Sequence, residues 1–248
     1  MKIIGDIGNS EVKICLVENN SKIKKKITIK TNKITQSKIK RSLIKFKKNN
    51  KKIEKIVFSS VVPKVFNLFS LYFRSNFGKK IIEIKNLKLN KLIDIKVNKK
   101  QVGSDRLANS IATIDSKNNY IIIDFGTATT FDIVKNGIYE GGAIAPGVKL
   151  SIKNLSHSTA LLPIFDLKNQ QKSYGKNTKD ALNAGFIWGY EGLINNIINK
   201  ITKNWKTKYK IILTGGYANL FKKIIKRRTI IDQNITIKGV SKVYREFL

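Results

Sequence analysis

Two short acidic turns carry the chemistry that is most legible in this chain. Asp6-Ile7-Gly8-Asn9-Ser10 follows one apolar segment, and Asp124-Phe125-Gly126-Thr127-Ala128-Thr129-Thr130 follows another. In each turn glycine lets the backbone come close to a ligand, and its N–H can face a phosphate. Asn9, Ser10, Thr127, Thr129 and Thr130 add neutral donors. A carboxylate in such a turn repels phosphate unless a cation lies between them. Asp6 therefore reads as a magnesium holder, through water, beside a nucleotide phosphate, and Asp124 as the holder of a second cation. Lys13, on the strand after the first turn, can reach a phosphate as a point charge. Asp-Gly and Gly-Asn are also ordinary turn formers; the repetition between apolar strands is what favours phosphate.

Gly103-Ser104-Asp105-Arg106 leads into a helical segment. Beside a phosphate site, Asp105 suits acceptance of a hydroxyl proton and Arg106 suits an anionic group. Alone, the four residues read more simply as a helix cap and an exposed arginine. Gly141-Gly142-Ala143-Ile144-Ala145-Pro146-Gly147 reads as a small-residue loop before a helix, and Thr214-Gly215-Gly216 as a turn that admits a flat base or ribose. His157 is the only histidine, which disfavours a catalytic triad or histidine metal cluster. Cys15 reads as a small core residue. Gly185 and Gly189 would let another helix approach closely, within the chain or from a second copy.

The elements that must position these residues alternate in type. Strands are expected over 2–5, 12–17, 55–59, 80–84, 120–123, 130–134 and 210–213, and helices over 34–48, 64–77, 105–116, 150–158, 178–203 and 219–226. The echo of the Asp6 turn in the Asp124 turn implies a duplicated α/β fold facing one cleft, with halves 1–112 and 113–248 and a hinge within 107–117. The chain has 248 residues, 42% of them hydrophobic, too many for a disordered basic tail. No apolar run approaches the roughly 20 residues of a membrane span. The 49 Lys+Arg against 16 Asp+Glu give a net charge of +33. Only six of those cations are arginine, and lysines spread among Ile and Asn look like the imprint of an AT-rich genome; nucleic-acid binding is not the favoured reading. The densest clusters, Lys22–Lys26 and Lys45–Lys52, read as solvated faces.

In order, these segments resemble type III pantothenate kinase, of the superfamily of actin, sugar kinases and acetate kinase. The matching motifs are Asp6-Ile-Gly-Asn9-Ser-x-x-Lys13, Gly103-Ser-Asp105-Arg106, Asp124-Phe-Gly-Thr127-Ala-Thr-Thr, Gly141 to Gly147, Ser151 to Pro163, Gly175-Lys-Asn177-Thr178, Thr214-Gly215-Gly216 and Ile235 to Val240. The resemblance implies a duplicated ribonuclease H-like (actin-like ATPase) fold. It implies ATP-dependent phosphorylation of the terminal hydroxyl of pantothenate to 4'-phosphopantothenate, the first step of coenzyme A biosynthesis, in a cytoplasmic homodimer. It assigns Asp6, Ile7, Gly8, Asn9, Ser10, Glu11, Val12, Lys13 and Thr127 to ATP, and Gly103, Ser104, Asp105, Arg106 and Thr178 to pantothenate. Asp105 is the expected general base, Asp124 the site of a monovalent cation (potassium or ammonium), and Asp6 the magnesium contact. The family often carries Tyr and Asn-Pro before Gly-x-Asp-Arg; here Asn98 is followed by Lys99, with no Tyr nearby. Other readings are a non-catalytic transcription accessory protein of the same family, or a kinase for another small alcohol.

Overall fold

The computed structural model describes residues 1–18, 22–47, 50–115, 118–168 and 173–247, so the expected helix ends at 48 and 116 lie outside the described residues. In chain order the elements are β1 (Lys2–Ile7), β2 (Glu11–Val17), β3 (Ile23–Lys30), α1 (Gln36–Lys47), β4 (Ile56–Ser60), α2 (Pro63–Phe77), β5 (Ile81–Glu83), β6 (Asp94–Ile95) and α3 (Ser104–Thr113). They continue with β7 (Asn119–Phe125), β8 (Ala128–Lys135), β9 (Ile138–Pro146), α4 (Val148–His157), α5 (Thr178–Thr202), β10 (Tyr209–Gly215), α6 (Ala218–Phe221), β11 (Thr229–Ile231) and α7 (Ile235–Phe247).

The chain forms two compact units. Unit 1 holds Met1–Ser116, Asn136–Gly141 and Asn234–Leu248; unit 2 holds Lys117–Lys135 and Gly142–Gln233. This division departs from the expected halves 1–112 and 113–248 because α7 and the start of β9 cluster with the first unit. The reasons are local. Gly239 of α7 lies where a Cβ would overlap the Ala108 carbonyl of α3. Thr236 Oγ1 donates to Asn109 Oδ1 at 2.8 Å. Asp94 and Ile95 of β6 pair in parallel with Ile138 and Tyr139.

The unit 1 sheet runs β3-β2-β1-β4-β5, with β1–β2 and β2–β3 antiparallel and β1–β4 and β4–β5 parallel. The unit 2 strands repeat that order as β9-β8-β7-β10-β11, with β7–β8 antiparallel and β7–β10 and β10–β11 parallel. The duplication foreseen from the two Asp turns is therefore a duplication of topology.

Alternation along the strands sorts the faces of the unit 1 sheet. Ile3, Ile7, Ile14, Leu16, Ile56 and Phe58 pack with Ile39, Leu43 and Phe46 of α1 and Phe69 and Phe73 of α2. Each such buried side chain contributes roughly 1.5–3 kcal/mol. α2 starts with Pro63 in its first turn, spaces Val65, Phe69, Phe73 and Phe77 along one face, and ends at Gly78 (φ 65°). The opposite face carries Lys2, Ile4, Asp6, Cys15, Val57 and Ser59, all buried. α3 and α7 pack there. Lys2 places its ammonium 4.3 Å from the centre of the Tyr244 ring, and the Tyr244 hydroxyl donates to Glu54 Oε2 at 3.0 Å.

Several segments depart from expectation, among them β6, β11 and α7, which the expected elements do not include. The lysine cluster 22–26 falls largely within β3, whose side chains alternate in exposure. Most of the expected loop 141–147 is strand: β9 reaches Pro146, and only Gly147 precedes α4. The expected helix 219–226 is a single turn, Ala218–Phe221. Among the described residues no helix is long and apolar enough to cross a membrane.

Candidate functional site

In unit 1 the chemistry gathers where β1 and β4 end. Asp6 is the penultimate residue of β1; its register partners are Lys13 on antiparallel β2 and Ser59 on parallel β4. Paired residues share a face, so Lys13, Asp6 and Ser59 form one row on the side where α3 packs. Asp6 is 8% exposed. Ser59 is fully buried, and its Oγ finds no hydrogen-bond partner among the described residues. Beyond the row, Gly8 N–H donates to Glu11 O at 3.0 Å, closing a tight turn with Asn9, Ser10 and Glu11 exposed. Thr31 latches that turn: its hydroxyl donates to Gly8 O at 2.7 Å and its N–H to Ser10 O at 2.9 Å. Ile7 and Val12 are fully buried and can serve a phosphate only through their backbones.

α3 brings the second acid to the same strand ends. Val61, just after β4, donates its N–H to Ile7 O at 3.0 Å. A Cβ on Gly103 would lie 3.5 Å from the Val61 side chain and 2.5 Å from Asp105 Oδ1. The Asp105 carboxylate thus bends back over Gly103, where it accepts the Arg106 N–H at 2.8 Å. Burial pushes the Asp105 carboxyl above its ordinary range, while that hydrogen bond, the Arg106 charge and more distant Lys85 pull the other way. Ser104 is 1% exposed and donates its hydroxyl to Glu83 Oε1, so its side chain faces the protein interior. Only its backbone remains for a ligand.

Unit 2 repeats the row. Asp124, penultimate in β7, has Thr130 on β8 and Thr214 on β10 as register partners. Gly126 N–H donates to Ala128 O at 3.1 Å, leaving Thr127 exposed at the turn. Gly215 (φ 86°) lies against it: a Cβ there would sit 2.6 Å from the Phe125 carbonyl carbon and 2.7 Å from Asp124 Oδ1. Gly216 N–H donates to Phe125 O at 3.1 Å, and Gln233 Nε2 donates to Gly215 O at 3.0 Å. Gly147 meets the Thr127 carbonyl so closely that no side chain fits between them. Three segments that are separate in sequence, 124–130, 141–147 and 214–216, therefore converge. Thr129 Oγ1 and Tyr190 OH both donate to Pro146 O, at 3.1 Å each.

Thr178 is exposed in the first turn of α5, whose cap is Asn177 accepting the Asp180 N–H at 3.0 Å. It lines a cavity of about 910 Å³ with Ser151, Asn177, Phe186 and Tyr190. Gly185 and Gly189 line the same cavity, and a Cβ on either would meet open space. Among the described residues they do not pack against another helix.

Among the described residues no three His, Cys, Asp or Glu side chains gather into a cage. Magnesium keeps its waters and relies on one or two carboxylates plus substrate phosphates, so a single Asp is enough to contact it. Asp6 would hold it. Asp124, beside Gly215 and Gly126, offers a carboxylate oxygen that a second cation would use. Sequence reasoning missed Ser59, Thr31 and Glu83. Ser59 and Thr31 look like ordinary strand and turn residues until register places them beside Asp6 and Gly8. Glu83 lies 21 residues from the hydroxyl it accepts.

Gly215 and Gly216 give a direct check on this geometry. Gly215→Ala adds a strained φ and a backbone overlap, a cost of roughly 1–3 kcal/mol, and lowers the thermal melting temperature by several degrees. Gly216→Ala meets nothing within 4 Å and leaves melting near wild type. Equal effects would contradict the placement of Gly215 on the Asp124 turn.

A family model for type III pantothenate kinase matches residues 2–200. A type III pantothenate kinase of Pelagibacter ubique (strain HTCC1062) is 51% identical over 240 residues, covering 97% of each chain. Another, from Dictyoglomus turgidum (strain DSM 6724 / Z-1310), is 34% identical over 249 residues, covering 96% of each. Among solved structures, a putative Baf family transcriptional activator from Campylobacter jejuni superposes with a TM-score of 0.63 at 22% identity, covering 98% of both chains. A putative 2-dehydro-3-deoxygalactonokinase from Sinorhizobium meliloti does so at 0.62 and 10% identity, covering 99% and 98%. These structural likenesses establish the fold alone: the duplicated, ribonuclease H-like architecture of the actin-like sugar kinases. With a family model spanning most of its length and full-length relatives of that name, the chain belongs to the type III pantothenate kinase family.

Proposed function

We propose that the chain transfers the terminal phosphoryl group of ATP to the terminal hydroxyl of pantothenate, forming 4'-phosphopantothenate and ADP, the first step towards coenzyme A. The observation that carries this reading is the placement, in unit 1, of Asp6 and the Asp105 turn on one face at the same strand ends. Ligands of parallel strands bind at those carboxyl ends. Asp105 accepts the hydroxyl proton as the substrate oxygen bonds to phosphorus and the bond to the ADP oxygen breaks. Arg106 steadies the anionic substrate. Asn9, Ser10 and Lys13 in unit 1, and Thr127 in unit 2, are assigned to ATP. Magnesium held by Asp6 would offset phosphate charge, and a potassium or ammonium ion is assigned to Asp124. Thr178 is the second pantothenate contact. The lone buried thiol, Cys15, fits a cytoplasmic enzyme.

Unit 2 also supports a homodimer. Ile144, Leu161, Ile164, Tyr174 and Trp188 are 44–89% exposed, apolar side chains that a second copy would cover. Light scattering is expected to give twice the 28.1 kDa protomer mass, and Trp188→Lys to shift that mass towards the protomer. Protomer mass for the wild type would end the dimer assignment.

A coupled ADP-release assay with a panel of small hydroxy acids tests the reaction. Turnover is expected with pantothenate, and to depend on potassium or ammonium; turnover only with another substrate would redirect the assignment. Asp105→Asn is expected to lose at least about 1,000-fold in kcat. Because burial raises the Asp105 carboxyl, the acid limb of the kcat/KM profile lies above the ordinary aspartate value of about 3.9. A raised folded pKa means the ionised group costs stability above that pKa, a cost absent below the unfolded value. Asp105→Asn therefore melts no lower than wild type at neutral pH. Wild-type turnover in Asp105→Asn would remove the base assignment.

Gly103→Ala separates carboxylate placement from folding. Gly103 has an ordinary φ of −60°, so alanine is not strained there. Its methyl displaces the Asp105 carboxylate, and kcat is expected to fall about tenfold or more with melting little changed. Full activity would show that the observed carboxylate position is not the working one.

A further inference from the structure

Glu83 is a half-buried carboxylate that the reaction itself does not require. It closes β5, and three segments donate to it. Ser104 gives its hydroxyl, Lys85 its backbone N–H at 2.8 Å, and Ser60, the last residue of β4, its backbone N–H. Burial pushes the Glu83 carboxyl above its usual range, and those hydrogen bonds with the Lys85 charge draw it back. Two lysines brace the surroundings. Lys85 Nζ donates to Lys100 O at 2.9 Å, and Lys99 Nζ donates to Leu87 O at 2.6 Å.

The link from Ser104 to Glu83 acts on the start of α3. That helix has glycine at its cap, and Gly103 offers no side chain to fix the first turn. Ser104 is the first residue of that turn, and Asp105 is the second. A hydroxyl locked to the end of β5, which pairs with β4, sets where Asp105 stands relative to the strand ends that carry Asp6. Keeping a carboxylate out of water is costly unless its hydrogen bonds are complete, and such groups are found where geometry must be unique.

We propose that Glu83 is the positioning residue for Asp105, acting through the Ser104 hydroxyl to fix the first turn of α3. The inference rests on the reading of Asp105 as general base. It gives Ser104 a role unlike substrate contact: the side chain faces inward, and its partner is Glu83.

The test compares Glu83→Ala, Glu83→Gln, Ser104→Ala and the double variant Glu83→Ala/Ser104→Ala, using pantothenate and ATP, with a thermal melt of each. Displacing a catalytic group by about 1 Å can cost about 100-fold. Glu83→Ala and Ser104→Ala are each expected to lower kcat about 10- to 100-fold, with KM for ATP within about twofold of wild type. The double variant is expected to fall no further than the worse single, because both changes cut one link. Glu83→Gln, whose Oε1 can still accept from Ser104, is expected to recover part of the loss. Undiminished kcat in Ser104→Ala, or losses that multiply in the double variant, would overturn the inference. If Glu83→Ala does not fold, Ser104→Ala and Glu83→Gln decide: Ser104→Ala must fall well below Glu83→Gln. Asp105→Asn is measured beside them. Activity persisting there removes the base reading itself, whereas its loss there with full turnover in Ser104→Ala overturns only the role of Glu83.

Discussion

The parallel pairing of β1 with β4 is the constraint on which unit 1 depends. Asp6 opposite Ser59, and Val61 N–H on Ile7 O, bring two strand ends to one level. Everything chemical in the unit is referred to that edge. The Gly8 turn leaves it, the α3 turn leans on Val61, and β5 extends the same parallel register to Glu83. Unit 2 builds the same edge from β7 and β10, with Asp124 opposite Thr214. A one-residue slip in either pairing would send the acid to the opposite face, into apolar packing. The apolar alternation of Ile3, Gly5 and Ile7 against Ile4 and Asp6 forbids that slip, because one face must receive the rings of α2 and the other α3 and α7. Core packing therefore sets the position of the acids.

The same arrangement is costly. Asp6, Asp105 and Glu83 are each kept wholly or partly out of water in a chain with few acids. For Asp105 the desolvation suits the base role proposed for it, since a base is most effective when its pKa approaches the working pH. For Glu83 it is a by-product, offset by three donors. The two carboxylates sit in related environments and do different work. Both residues keep part of their surface exposed, but Glu83 spends its hydrogen bonds on three donors, whereas Asp105 accepts the Arg106 N–H.

Much of this was legible in the sequence where apolar runs are continuous. β1, β2, β4, β7, β8 and β10 announce themselves as Ile- and Val-rich segments, and the helices α1 to α5 by period and caps. The echo between the two Asp turns announced the duplication. Legibility failed where composition hid geometry. β3 reads as a lysine cluster because its polar face dominates its composition. β9 reads as a loop because Gly141, which lies against Val97, and Gly142 mimic a linker. α7 reads as part of the second half because sequence distance conceals its packing on α3. The Ser104–Glu83 link could not be seen at all, since nothing in either local segment points to the other.

β3 ends the unit 1 sheet, and its outer edge offers unpaired backbone groups to any strand that drifts alongside. Lys24, Lys26 and Lys30 stand exposed along it. A second chain adding there in register would set its own ammonium groups about 4.8 Å from these, in a protein already carrying +33. The lysine excess, uninformative about substrates, thus becomes a barrier against fibril-like growth at that margin.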